Sequence, residues 1–474
     1  MNRVRIAGAA IAALMVATVS HGATHQVGAG QTFSTIQACE DAAVAGDICN
    51  IHAGTYTETV TVSVSNLTFQ NHSGESPVVR GRFSVGSSSN VTITCNVGGG
   101  QMQITAFGSA TEAWPGIHQI RGTGLTVTGC RIHTGYGPGV YSRGSTRLRI
   151  DGNAVHGNSN ASSGPDADGI TIISGQSTNG TYENGVTISN NVIYDNHVDG
   201  MKIHGQFFVI SGNTVRDNIY SDWASTHPDG IQFNAGSADG YVSVQHAKVF
   251  NNVVKNHTQN IFLEGSARGQ SSNCEDIWIW NNVLYSDGGT LHGVVLDSLG
   301  GKNLNIKYAK TVRVYNNTFG RWGGVSVSLT DSYNDSIIVK NNIIDNVLGA
   351  GINVPDAADV PPGGLDYNQY HAADFAVAWA GSIYSSRSAF HNAVGSQETR
   401  GLDGDPLLNP FPNPTLRAGS PAIGKGVNLS TSCSECATDK AGIARGSIWD
   451  LGAFESSSAT DSPSAPSNLR ILSH

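Results

Sequence analysis

Val186 to Asn234 reads VTISNNVIYDNHVDGMKIHGQFFVISGNTVRDNIYSDWASTHPDGIQFN, and two short phrases recur inside it. One is a glycine followed by an aliphatic, any residue and an apolar residue, as in Gly200-Met201-Lys202-Ile203 and Gly230-Ile231-Gln232-Phe233. The other is an alternating strand closing on Asn-Asn or Gly-Asn, Val186 to Asn191 and Phe208 to Asn213. Period-2 alternation bounded by turn residues marks short strands. Outward from this stretch, the first phrase returns from Gly139, Gly169, Asn260, Gly293, Gly324 and Gly351, with starts 30, 31, 30, 30, 33, 31 and 27 residues apart. The second returns at Leu148–Asn153, Lys248–Asn252, Trp278–Asn282, Arg313–Asn317 and Ile338–Asn342. A period near thirty residues, two or three strands per period, is the mark of a solenoid.

An asparagine at one register of every coil has a physical use. Stacked amides hydrogen-bond along a column and satisfy turn backbone that would otherwise be stranded. The open ends of such a coil need covers. Residues 33–45 predict a short amphipathic helix over the N-terminal end. Beyond about residue 355 the repeat dissolves into a Pro/Gly-rich segment that predicts an irregular C-terminal cap. The expected organisation is an export signal over 1–22, a parallel β-helix with its N-terminal cap over 23–355, C-terminal coils and cap over 356–455, and a disordered Ser/Pro-rich tail over 456–474.

The start supports export: Arg3 and Arg5 precede an apolar run from Ile6 to Val19, too short to span a bilayer. A secreted or periplasmic protein without a membrane span is expected, and a monomer. Charged residues are only 13% and the net charge is −9 without a basic stripe, which argues against nucleic acid as a partner. Seven cysteines in an exported chain predict disulfides and one leftover thiol. Cys39 and Cys49 are expected to bridge across the N-terminal cap, Cys433 and Cys436 to form a local bridge, and the stacked coils to need none.

The coil pattern, with the endings Ser420-Pro421-Ala422-Ile423-Gly424 and Asp450-Leu451-Gly452-Ala453-Phe454-Glu455, resembles the pectate-lyase-like superfamily of right-handed parallel β-helix proteins. The resemblance covers nearly the whole mature chain and implies an all-β, right-handed parallel β-helix that works on a polysaccharide. Lyases, glycoside hydrolases, uronate epimerases, tailspikes and adhesins share that architecture, so function has to be argued from the site.

Aligning the coils on the glycine turns the sequence into columns of neighbours about 4.8 Å apart. Before the glycine stand Asp168, Asp199, Asp229, Gln259 and His292; two residues earlier, Asp166, His197, His227 and His257. Along the outer face come Thr171, Lys202, Gln232 and Phe262, then Ile173, His204, Asn234, Glu264 and Asp297. A single Asp before Gly is an ordinary turn residue. Three in a column repel unless a cation or a proton intervenes. Only the Lys202 coil lacks a long loop after its strand, which predicts a notch there. On the other side Asn218–Thr226 is an extra segment carrying Tyr220 and Trp223, candidate sugar platforms.

The resemblance implies β-elimination on a uronate polymer as the leading reaction. It needs charge stabilisation at the C6 carboxylate, removal of the C5 proton and assistance to the departing O4. Lys202 and His227 are the expected proton carriers, and Arg216 is expected to bind or neutralise the carboxylate. His204, Gln232, Asn234, Tyr220 and Trp223 are the expected substrate contacts. Ca²⁺ is a possible cofactor, held near Asp199 and Asp229 with help from Asp168 or Glu264. A lysine beside ionised carboxylates is ordinarily a poor base, and calcium or Arg216 would relieve that. The alternatives are a glycoside hydrolase using a pair among Asp199, Asp229 and Glu264, a uronate C5-epimerase, and a non-catalytic carbohydrate-binding surface protein.

Overall fold

The computed structural model describes residues 22–159, 167–175, 180–235, 243–265, 274–330, 333–372 and 374–456. Short strands stack coil upon coil in parallel along three faces. Typical rungs set Val186 opposite Phe208 on one face, Tyr194 opposite Arg216 on the second, and Met201 opposite Ile231 on the third. The first and third faces merge into one 25-stranded sheet, and the second carries 13 strands. One strand, Met201–Ser211, runs unbroken through the corner between the merged faces. Inward residues such as Ile172, Ile203, Phe208, Val215 and Ile231 are buried in one continuous core.

The Gly-Asn and Asn-Asn phrases have a backbone cause. The residue before each ladder asparagine is left-handed, with φ between 52° and 68° at Gly152, Asn190, Gly212, Asn251, Asn281, Asn316 and Asn341. Glycine and asparagine tolerate that conformation best. The next residue then points inward. Asn153, Asn191, Asn213, Asn252, Asn282, Asn317, Asn342 and Asn368 form the expected ladder. Each backbone N–H donates to the next Oδ1 at 2.8–3.0 Å. Each Nδ2 donates to the same oxygen at 2.9–3.1 Å. Glu398 ends the column, accepting from Asn368 Nδ2 at 2.7 Å and from Tyr370 Oη at 2.6 Å. A second column lies five residues further on in each coil: Asn158, Asn196, Asn218 and His257, joined at 2.9, 2.9 and 3.2 Å.

The repeat departs from the expected frame after residue 264. The strand that continues the third face is Lys302–Lys307, with Leu304 opposite Ile261, followed by Val327 and Ile352. Gly293-Val294-Val295-Leu296 is no coil. It lies in an inserted antiparallel hairpin, Thr290–Leu291 with Val294–Val295, and Gly324 falls two residues out of register. A four-residue apolar phrase fits a hairpin as well as a coil, and here its residues serve a separate cluster. Val294, Leu296 and Leu299 bury against Ile219, with Trp223 and Leu291 packed alongside. His292 and Asp297 therefore leave the columns, and Lys302 and Lys307 take their places.

The N-terminal cap is the helix Ile36–Ala42, with Thr35 Oγ1 accepting from Ala38 N at 3.1 Å. Cys39–Cys49 and Cys433–Cys436 are bridged as expected, and Cys274 is a buried free thiol. A third bridge, Cys95–Cys130, lies within the stacked coils, which were expected to need none. Both of its cysteines point into the core, and the coil stack sets their Cα atoms 4.7 Å apart although 35 residues separate them. At the other end, coil register continues to Leu402–Asp403. The chain then turns back along the flank. Asn281 Nδ2 donates to Thr438 O at 2.7 Å, Asn316 Nδ2 to Asp450 O at 3.1 Å, and Asn341 Nδ2 to Val427 O at 2.8 Å. That contact explains why asparagine stands in the left-handed position of these coils. Most of the expected export signal and all but the first residue of the expected tail lie outside the described residues. Among the described residues no helix is long and apolar enough to cross a membrane.

Candidate active site

The Asp column sits where the second face turns into the third, and its geometry follows from the coil. Asp168, Asp199 and Asp229 stack one rung apart and all are buried. Asp199 N donates to Asp168 Oδ1 at 3.2 Å, and Asp229 N donates to Asp199 Oδ1 at 2.8 Å. Thr171 Oγ1 donates to Asp168 Oδ2 at 2.7 Å. The last member differs: among the described residues neither carboxylate oxygen of Asp229 has a hydrogen-bond donor. Burial lifts Asp229 to about 6, and burial with the neighbouring Asp168 and Asp229 lifts Asp199 well above the carboxylate range. Two removable cations face this column. Lys202 Nζ lies 4.0 Å from Asp199 Oδ2, and His227 Nδ1 lies 3.7 Å from Asp229 Oδ2. The Asp229 carboxylate holds His227 above the ordinary imidazole range.

Lys202, His227, Asp199 and Gln232 line one cavity of about 260 Å³, closed on a side by Val198, Ser225 and Thr226. His227 is positioned by the extra segment: Trp223–Thr226 forms one helical turn, and His227 ends it in a left-handed conformation with φ 51°. Its side chain is 53% exposed while Asp229 is sealed beneath it. Lys202 is the outward residue between Met201 and Ile203, both in the core. Beyond them Gln232 Nε2 and Asn234 Nδ2 donate to Glu264 Oε2 at 3.1 and 3.2 Å, and His204 is buried at the same level. The loops on the far side of the Lys202 strand fall on 176–179, 236–242 and 266–273, as does Asp166 on 160–166, outside the described residues.

Three expected participants are elsewhere. Arg216 belongs to the second face, where it lies 4.3 Å over the Tyr194 ring and pairs with Asp217 at 2.5 Å. It continues an external stack of His133, His156 and Tyr194 with ring separations of 5.0 and 4.5 Å. Tyr220 is sandwiched between His197 and His292 at 5.3 and 4.5 Å, its hydroxyl donating to Asp195 O at 3.0 Å. Trp223 packs into the cluster of the inserted hairpin. Both rings are half-buried against protein and lie outside the lining of the Lys202 cavity. His197 pairs with Asp222 at 3.3 Å, and His257 is a sealed, neutral member of the second ladder, lowered to about 4 by burial.

Among the described residues the four carboxylates expected to hold calcium do not form a set of three converging ligand atoms. Both oxygens of Asp168 and Oδ1 of Asp199 accept hydrogen bonds from the coil itself, and Glu264 Oε2 accepts two amides. Among the described residues the sets of three ligand atoms that do converge are elsewhere, at His52, His72 and Glu75 and at Asp345, His371 and Asp405.

A family model described as "Right handed beta helix region" matches residues 53–238. No curated protein matches the chain. A solved structure titled as the complex of XylC with xylose matches with a TM-score of 0.50 at 11% identity, covering 91% of this chain and 98% of that one. Pectate lyase Pel9A matches at 0.44 and 14%, covering 92% and 97%. The A-module of the Azotobacter vinelandii mannuronan C-5 epimerase AlgE4 matches at 0.44 and 13%, covering 81% and 95%. At such identities the likeness concerns the fold. The chain is a right-handed parallel β-helix, the architecture its repeat resembles.

Proposed function

We propose that this protein is a secreted polysaccharide lyase that cleaves a uronate-containing polymer by β-elimination. The observation that carries the reading is the cavity with two accessible proton carriers, Lys202 and His227, each backed by a buried aspartate. Burial and its two aspartate neighbours push the Asp199 carboxyl up, which weakens the negative field that would otherwise hold Lys202 in its charged form. Asp229 keeps His227 cationic and suited to be the acid. Lys202 takes the C5 proton, the C4–O4 bond breaks as the C4–C5 double bond forms, and the His227 imidazolium gives its proton to O4. Gln232 and Asn234, with His204 behind them, extend the polar floor on which the sugar lies. Arg216 has no step in this scheme.

Burial of Asp229 weighs against a hydrolase whose carboxylate pair includes it, because that side chain has no exposed surface with which to meet a substrate. Two proton carriers in one cavity equally suit C5 epimerisation, which shares the abstraction step and then returns a proton to the other face. A panel of acidic and neutral polysaccharides tests these readings. A lyase yields an ultraviolet-absorbing unsaturated product together with new reducing ends. Reducing ends without absorbance establish a hydrolase, and solvent deuterium entering an uncleaved polymer establishes an epimerase. No change in any polymer leaves a binding protein.

A further inference from the structure

Four rungs toward the N-terminus from Lys202, along the register Met201, Ile170, Val140, Ile117 and Phe83, a second cavity opens on the same corner of the coil. Its volume is about 310 Å³, and Arg80, Arg82 and Trp114 line it. The guanidinium of Arg82 lies 4.1 Å over the Trp114 ring, and Trp114 is 42% exposed. Arg82 Nη1 is buried without a hydrogen-bond partner among the described residues. The carboxylate in the wall, Glu58, is turned away: its oxygens accept from Ile36 N and Gln37 N, both at 3.0 Å, at the start of the cap helix. Glu112, outside the wall, accepts from Trp114 Nε1 at 2.8 Å. The wall therefore holds two guanidinium groups, and its one carboxylate is engaged by the cap helix. A buried donor with no acceptor costs stability unless a ligand fills it.

We infer that Arg82, Arg80 and Trp114 form a distal subsite for a carboxylated sugar, recognising a uronate of the same polymer that reaches Lys202. An arginine fork matches a carboxylate, and an exposed indole offers an apolar face to a pyranose ring. At strand spacing, four rungs span about 19 Å. His118 and Tyr141 pave the way between, with ring centroids 5.5 Å apart on adjacent rungs. Burial and the nearby Arg82 hold His118 below the ordinary imidazole range. A chain lying along the corner meets both cavities, and a short oligosaccharide meets one. The inference rests on the acidic-polymer reading above.

The test is binding of the full chain to pectate, alginate, hyaluronan and a neutral glucan, by affinity electrophoresis, beside Arg82→Gln, Arg82→Lys and Trp114→Ala. Thermal melting of each variant confirms folding. Arg82→Gln is expected to weaken binding to a uronate polymer about tenfold, as for loss of a charge-assisted hydrogen bond. Arg82→Lys should restore part of it, Trp114→Ala should lose less, and the glucan should bind none of them. Unchanged binding by folded Arg82→Gln overturns the subsite and leaves the lyase reading standing. Weakened binding to a uronate polymer that the protein does not modify keeps the subsite and sinks the lyase. Equal weakening toward the glucan, or no binding to any uronate polymer, overturns the inference.

Discussion

Two of the columns of buried polar side chains that climb this coil are built on opposite principles. The asparagine ladder is neutral, and each amide donates to its neighbours' oxygens from Asn153 to Asn368. The aspartate column runs for three rungs, carries ionisable groups, and leaves the carboxylate of Asp229 without a donor. The first arrangement stabilises turns that repeat without limit. The second holds uncompensated polarity at one place, with a lysine and a histidine poised above it. A buried carboxylate without a donor lowers stability, so Asp229 is a mark of chemistry rather than of folding.

The ladder can be broken in its middle. Asn252→Ala strands the N–H of Asn213, takes one of three acceptors from Asn213 Nδ2, and takes one donor each from Ile210 O and Asn282 Oδ1. A loss of about 4 kcal/mol is expected in denaturant unfolding, summing one orphaned donor and three weakened partners, with the specific activity of the folded fraction unchanged.

The next effect sharpens the contrast through the ladder's one carboxyl. Burial lifts Glu398 from 4.5 to about 7. Between those values the native state keeps a proton that the unfolded chain releases, so this group's contribution falls as pH rises from 4.5 to 7. Comparing wild type with Glu398→Gln across that window should reveal a slope that totals about 3 kcal/mol and is absent from the variant. A difference that is flat with pH would mean that Glu398 is ionised in the ladder.

In the aspartate column the expected loss is catalytic. Lys202→Ala and His227→Ala should each lower turnover at least ~10²-fold, the usual scale for a positioned acid or base. Melting temperatures should hold, because both side chains point out of the core. Near-normal turnover in both, with Asp199→Ala or Asp229→Ala inactive, would transfer the chemistry to the carboxylates. The smallest effect separates the column from a metal site. Exhaustive chelation should leave turnover unchanged, since among the described residues the column offers no set of three converging ligand atoms. A loss restored by Ca²⁺ alone would show that these carboxylates rearrange around an ion.

Much of this was legible without coordinates. The period near thirty, the Gly-Asn and Asn-Asn turns and the ladder are local or strictly repeated properties, and a left-handed backbone position followed by an inward residue writes itself into every coil. The second ladder was legible too, as Asn158, Asn196, Asn218 and His257 stand five residues after the first in consecutive coils. The pairing of Lys202 and His227 with the aspartates followed from the same columns. Only the tertiary structure decided which apolar phrase is a coil and which is the inserted hairpin at 290–295, because four residues satisfy either packing. Only it assigned Arg216 to a different face, spent Tyr220 and Trp223 on neighbouring rings and apolar side chains, and joined Cys95 to Cys130. It alone brought Arg82 and Trp114 together, 32 positions apart and in no repeated register. A sequence records what each coil shares, whereas burial, pairing and an unfilled donor depend on which side chains arrive at one point from different coils.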